Sequence, residues 1–426
     1  MTSGKQVHHP TVRSPLTKIW CAAALVPVFL VGLGCSGSQT LPTPTPPRTV
    51  SNELTDPIEI RSVNGLLDVT LEAVMEVLDV PTSATTSKKD TLRTYRVLEA
   101  NGVSYEDSNA VGFPGPTYRI QRGDRVRIKL INNLPSLGNE DECMDYPAAN
   151  NGTDEAPNCF HGPNTTNIHY HGFHVTPSGT GDNVLLHIEP DSTFQFDFVI
   201  PENQSPGTHW YHPHKHGSVA LQVINGMAGA FIIEGGALDS LVAANNIKER
   251  ILVLQEIAPK LNLMSPAGPG ARATLINGKL SPVIRMRPGE VQRWRFVNAA
   301  VTPRASFKFT FQDIAGEEPM FYGIARDGVQ YAPDNYTPDQ PDTLIVAPGN
   351  RLDVFVKAPT EPGIDELENI IVANLDQRVF RALLASAQLS EAFLKVEVVE
   401  TTDEDYARDL PQTLPPLPSF LANLDS

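Results

Sequence analysis

The chain has 426 residues and a formal net charge of −16, with 33 Lys plus Arg against 49 Asp plus Glu. That length exceeds one ordinary sandwich and leaves room for two domains. The acidity, and the lack of a basic stripe, argue against nucleic acid or anionic surfaces as partners and favour cationic metals or neutral organic molecules.

At the N-terminus, Lys5, Arg13 and Lys18 precede an apolar run from Ile19 to Leu33. The run is too short for an ordinary membrane span and fits a signal-peptide core, so residues 1–35 are read as a signal. It ends Val31-Gly-Leu-Gly-Cys35, which resembles a bacterial lipoprotein cleavage box with Cys35 as the lipid-bearing residue, although Gly32 stands where such boxes usually carry Leu. The expectation is an exported protein, periplasmic or on the outer cell surface, touching a membrane through its N-terminal lipid; an ordinary secretory signal and an uncleaved anchor are the alternatives. Residues 36–55, with Leu41-Pro-Thr-Pro-Thr-Pro-Pro47, read as a semi-rigid tether, because each proline fixes φ and removes a donor.

The segment Leu66–Leu78 has both helical and strand character; its valines and the alternation in Asp68-Val-Thr-Leu-Glu72 decide for a strand. Thr117–Gln121, Arg125–Ile131 and Phe194–Ile200 alternate apolar and polar residues between Gly, Pro, Asn and Asp. A second set follows at Arg250–Leu254, Ser281–Arg287, Val291–Val297, Thr343–Val346 and Leu352–Val356. There are no long helical heptads, no repeat of about 20–50 residues and no glycine-rich phosphate loop, which argues against nucleotide enzymes. The pattern predicts an all-β chain of two β-sandwiches in tandem.

Of four cysteines, Cys21 and Cys35 belong to the leader, leaving Cys143 and Cys159 around an acidic, Asn- and Pro-rich loop. In an oxidising compartment these two would form a disulfide, stabilising by roughly 3 kcal/mol. A copper thiolate is the alternative, and the weaker one, because neither has a His-Cys-His neighbourhood.

Nine of the eleven histidines fall between His161 and His216, and none follows. They form two dense clusters, Asn167-Ile-His-Tyr-His-Gly-Phe-His174 and His209-Trp-Tyr-His-Pro-His-Lys-His-Gly217, each with a His-x-His pair. Residues i and i+2 of a strand share a face about 6–7 Å apart, so His169 with His171, and His212 with His214, can aim at one place. Imidazoles suit copper, zinc, nickel and iron, with copper(II) binding tightest, and two such pairs together could hold two or three ions. A three- or four-histidine zinc site is a weaker variant.

These residues carry a family resemblance. Phe113-Pro-Gly-Pro-Thr117, Asn132-Asn-Leu-Pro135, Thr166-Asn-Ile-His-Tyr-His-Gly172, Gly207-Thr-His-Trp-Tyr-His-Pro-His-Lys-His-Gly217 and Gly226-Met-Ala-Gly229 resemble the first domain of a multicopper oxidase, the group that includes laccases and bacterial copper oxidases. Ile276-Asn-Gly278, Arg287–Arg295, Ala325-Arg-Asp-Gly328 and Ala347–Asp353 resemble its second domain more loosely. The resemblance implies two cupredoxin-like Greek-key β-sandwiches, at residues 56–236 and 248–400, with 401–426 as a connector toward a third domain. Carried over residue by residue, it makes His169 a ligand of type 2 copper and His171, His212 and His214 ligands of type 3 copper. Asp182 resembles the acid that some members place beside the type 2 ion for proton delivery; a turn-forming Asp explains it equally well. His161, His174, His187, His209 and His216 match no ligand position and read as supporting or surface residues. Arg293, Arg295 and the turn glycines read as structural.

Complete members oxidise phenols, amines or metal ions one electron at a time at a type 1 copper and reduce O₂ to water at the trinuclear cluster. Here nothing after His216 is His and nothing after Cys159 is Cys, so half of the trinuclear ligands and the type 1 set are missing from this sequence. The expectation is a multicopper-oxidase-family copper protein, a truncated product or half of a split enzyme, inactive alone and completed by a partner polypeptide. O₂ and a small reducing substrate would then be its partners, and seven scattered methionines mildly disfavour cuprous ion as that substrate. The alternatives are an exported copper-binding protein without turnover and a scaffold on a cupredoxin frame.

Overall fold

A computed structural model describes residues 52–422, apart from 84, 106–110, 139–160, 259–273, 302–306, 313–319, 339–343, 372–392, 400–401 and 403–404; of 307–312, 344, 364–371 and 422 it describes the backbone. The signal, Cys35, most of the tether and the Cys143–Cys159 pair lie outside the described residues.

Strands form where alternation marked them: Thr117–Gln121, Arg125–Asn132, Ser192–Val199, Lys248–Glu256, Val283–Met286, Val291–Asn298 and Arg351–Lys357. The ambiguous segment is a strand, Leu66–Pro81, paired antiparallel with Ser87–Ala100 and parallel with Arg125–Asn132. Pairing on both sides satisfies its backbone groups, and Leu67, Val69 and Leu71 enter the core.

The strands up to Gly229–Glu234 make two facing sheets. One runs in the order Glu59–Arg61, Thr117–Gln121, Gly229–Glu234, Gly207–His212, His169–His171; the other holds Val103–Ser104, Ser87–Ala100, Leu66–Pro81, Arg125–Asn132 and Ser192–Val199. Val69, Ile128, Leu130 and Phe196 from the second meet Tyr118, Tyr170, Tyr211 and Phe231 from the first in one core. Later strands make a second pair of sheets, with Leu252, Trp294, Phe296 and Val354 packed on Ile284, Met286, Leu394 and Val396.

Residues 52–54, read from the sequence as the end of the tether, belong instead to the second pair of sheets. The Leu54 N–H donates to Val283 O at 2.7 Å, and the Asn52 amide reaches Leu280 O and Ser281 O at 2.9 and 2.8 Å. Two short helices, Val219–Ile224 and Ala237–Ala244, flank strand Gly229–Glu234, and none of the three was located from the sequence.

Strand Gly207–His212 is buried along its whole length because its sheet is covered on both faces. Tyr211 enters the first core, while Trp210, Ala230 and Ile232 pack on Ile251, Val253, Val297 and Ala299 of the second sandwich. A buried ion cluster crosses the same boundary. Arg293 and Arg295, each 1% exposed, donate to Asp353 Oδ2 at 2.6 and 2.8 Å, and the Thr208 hydroxyl donates to Asp353 Oδ1 at 2.5 Å. Glu249 lies 2.7 Å from Arg295 and accepts from Arg119 of the first sandwich at 2.5 Å. Burial alone would raise the Glu249 carboxyl, yet the Arg295, Arg293 and Arg119 guanidiniums hold it well below the usual carboxylate range. The arginines read as structural are so, by joining sandwiches as well as by ordering strands.

Removing one member of such a cluster strands the opposite charge out of water. Asp353→Ala is expected to cost about 3–5 kcal/mol in urea unfolding; a loss under about 0.5 kcal/mol, the range of ordinary surface changes, would contradict the assignment.

Candidate metal centre

The edge strand His169–His171 runs antiparallel to Gly207–His212, with His169 opposite His212, Tyr170 opposite Tyr211 and His171 opposite Trp210. Directly opposed residues sit about 4.5–5.5 Å apart at Cβ. Tyr170 and Tyr211 point into the first core, so alternation turns His169, His171, Trp210 and His212 to the other face. One register thus brings together two motifs forty residues apart in the chain.

The rings converge. His169 lies 5.4 Å from His171 and 5.2 Å from both His212 and His214, measured between centroids. His171 is 5.6 Å from His212, and His212 is 5.9 Å from His214. Nδ1 of His171 and Nε2 of His212 are 3.4 Å apart. Two imidazole nitrogens bound to one ion at about 2.0 Å, at a near-tetrahedral angle, are separated by about 3.3 Å. Ligand atoms of His169, His171 and His212 all lie within 4.8 Å of one another.

The two pairs are positioned differently. Strand alternation places His169 and His171, as the spacing predicts, whereas the second strand ends at His212 and Pro213 cannot continue the ladder. His214 is held by the buried Asn167, whose Oδ1 accepts its N–H at 2.6 Å and whose amide donates to Val184 O and Leu186 O at 3.0 Å each. Asn167 was legible as part of a motif, but its clamp depends on a loop seventeen residues away.

Ring orientation is set from behind. Asp182 lies 3.0 and 2.9 Å from His169 Nδ1 and accepts the Tyr170 N–H at 2.9 Å. With a proton on Nδ1 facing the carboxylate, Nε2 of His169 carries the lone pair a metal needs. His212 Nδ1 is 2.8 Å from Pro213 O, which frees its Nε2 in the same way. Trp210 stacks on both rings, 5.0 Å from His171 and 4.2 Å from His212 with interplanar angles of 27° and 26°.

Burial, then Arg351 and His169, push the His171 imidazole down to about 4. Burial, then His169, also lowers His212 well below its ordinary value. Both are therefore neutral, ligand-competent bases at neutral pH. Arg351 and Gly349 come from the second sandwich. Arg351 Nε donates to Thr208 O at 3.3 Å, and a Cβ on Gly349 would lie 3.7 Å from His171 Cε1. Sequence reasoning gave neither a place at the site.

Of the remaining histidines, His209 is buried, with Nε2 3.1 Å from Ser205 O, and is gripped between Gly172 and Gly328, where added Cβ atoms would come within 2.7 and 2.5 Å of its ring. His174 and His187 are exposed, and the His161 and His216 rings lie 5.2 Å apart.

A family model described as multicopper oxidase matches residues 157–237, which hold all four converging histidines. Over this part of its length the chain carries the sequence pattern of the multicopper oxidase family. It is 27% identical over 224 residues to a multicopper oxidase of Staphylococcus aureus, covering 49% of this chain and 43% of that protein. To laccase-1 of Trametes villosa it is 29% identical over 213 residues, covering 46% and 35%. The matches thus span less than half the length of these relatives. Among solved structures, the McoA multicopper oxidase of Aquifex aeolicus aligns with a TM-score of 0.60 at 20% identity, over 86% of this chain and 68% of the other. A Campylobacter jejuni multicopper oxidase, described as a metallo-oxidase, aligns with a TM-score of 0.55 at 22% identity, over 86% and 64%. The fold is that of cupredoxin-like β-sandwiches.

The lowered histidine values set a direction for stability against pH. Unfolded, His171 titrates near its ordinary value of about 6.5, and folded near about 4. Between these the unfolded chain holds the extra proton, so metal-free stability is expected to fall as pH drops from 6.5 toward 4. Urea midpoints across that window check it, and His171→Gln is expected to flatten the slope.

Proposed function

We propose that His169, His171, His212 and His214 form a copper site, the half of a trinuclear centre that this chain supplies. His169 would hold a type 2 ion, and His171, His212 and His214 type 3 ions. The carrying observation is the convergence of four imidazoles with a 3.4 Å Nδ1-to-Nε2 spacing between His171 and His212. All four donors are imidazoles, and burial holds His171 and His212 neutral, which suits copper better than hard cations. Bound copper supplies one-electron redox chemistry and a place for O₂ to be reduced.

The chain's own residues do the rest. Asp182 fixes the His169 ring and holds a proton at Nδ1; its side chain keeps 13% exposure, so it can exchange that proton with solvent. Trp210 and the second sandwich bury His212 and leave His171 half-buried. Turnover as an oxidase of phenols, amines or metal ions would need four more histidines and a type 1 site; the sequence has no His after His216 and no Cys after Cys159. A partner polypeptide is one source. The leader supports export and lipid attachment at Cys35 as part of the same proposal.

Copper(II) titration of the purified chain is expected to quench Trp210 emission, with the quenching lost in His212→Ala and in Trp210→Phe. Asp182→Asn is expected to weaken copper binding by about 10–100-fold, the usual cost of removing a carboxylate behind a ligand. Oxygen uptake on a phenolic substrate, with a strong blue absorption band, would overturn the half-site reading. Copper binding without either fits it, and no copper binding at all would leave a scaffold.

A further inference from the structure

We infer that His161 and His216 form a second metal site, separate from the four-histidine centre and taking a divalent transition ion, copper(II) foremost. Their ring centroids are 5.2 Å apart with planes at 49°. That is the separation of His169 from His212 and from His214 within the candidate centre, 5.2 Å in both cases. Two imidazoles that share one ion stand at a similar separation. With a metal–nitrogen bond of about 2.0 Å, a ring centroid sits about 3.1 Å from the ion, and two rings at a near-tetrahedral angle stand about 5.1 Å apart.

The pair is built in. The His161 N–H donates to Gly217 O at 3.3 Å, and the buried His161 ring packs against Gly217, which has φ +87°. A Cβ at Gly217 would come within 2.4 Å of His161 Cε1 and Nδ1, so the glycine leaves the space this ring fills. His216 is exposed, which lets an ion arrive with water on its remaining positions. Lys215 turns its ammonium to the His216 carbonyl at 2.9 Å. Two imidazoles with open water positions suit copper(II) over the hard cations, and copper(II) binds such donors more tightly than the other divalent ions of its row. Set two residues past His214, the site gives the chain a solvent-reachable ion beside the four-histidine centre.

The test counts copper. The purified full chain, stripped with a chelator, is titrated with copper(II) against a chromophoric competitor, and bound copper is measured by atomic emission after buffer exchange. The His161→Ala/His216→Ala double variant is expected to bind one equivalent fewer than the parent while Trp210 quenching is unchanged. His216→Gln, a surface change that spares the buried ring, is expected to show the same loss, which separates metal binding from misfolding. His212→Ala is expected to lose the quenching and keep the outer ion. Any copper on His8 and His9 is common to all variants and cancels. Equal counts in the parent and both His216 variants would show that the pair is a ring contact and overturn the site. Failure of the main centre reads out differently, as absent Trp210 quenching in the parent.

Discussion

The structure turns on one antiparallel register. Because His169 faces His212 across two strands, and because side chains alternate with a period of two, three imidazoles and an indole are forced onto one face. A slip of one residue would send Tyr170 and Tyr211 out of the core and the histidines into it. The apolar core therefore guards the polar site: Tyr170, Tyr211 and Phe231 fix the register by being buried, and the histidines inherit their position.

That face is not left to water. The sheet that carries it is covered by the second sandwich through Trp210, Ile251 and Val297, and the boundary is pinned by a cluster of arginines and carboxylates around Asp353. Such a cluster is costly to desolvate and pays for itself in geometry, since the fork of each guanidinium accepts few arrangements. Its effect reaches the histidines. Arg351, in the strand that carries Asp353, bonds Thr208 O two residues from Trp210, and Gly349 lies against His171. A sandwich without any histidine thus shapes the electrostatics of the centre, half-burying His171 and lowering its basicity.

The family relationship fits this division of labour. The matched segment, residues 157–237, is the stretch that supplies the histidines, whereas the fold resemblance to solved multicopper oxidases extends over 86% of the chain. The histidines are concentrated in a short sequence, whereas the likeness of fold extends well beyond it. Shape tolerates wide substitution as long as volume and alternation persist, which is consistent with alignments at about a fifth identity.

The sequence by itself determined the strands and the chemical character of the site. Alternation is local, so Thr117–Gln121 and Arg125–Asn132 were legible from neighbouring residues, and so was the shared face of His169 and His171. Tertiary structure decided what depends on distant partners: the register that joins the two histidine pairs, the Asn167 clamp on His214, the backing of His169 by Asp182, and the approach of Arg351. It also decided that residues 52–54 pair with Val283 rather than extend a tether, a contact across more than two hundred residues. Side-chain period is a property of a strand, but which strands meet, and in which register, is set by the burial of the whole core.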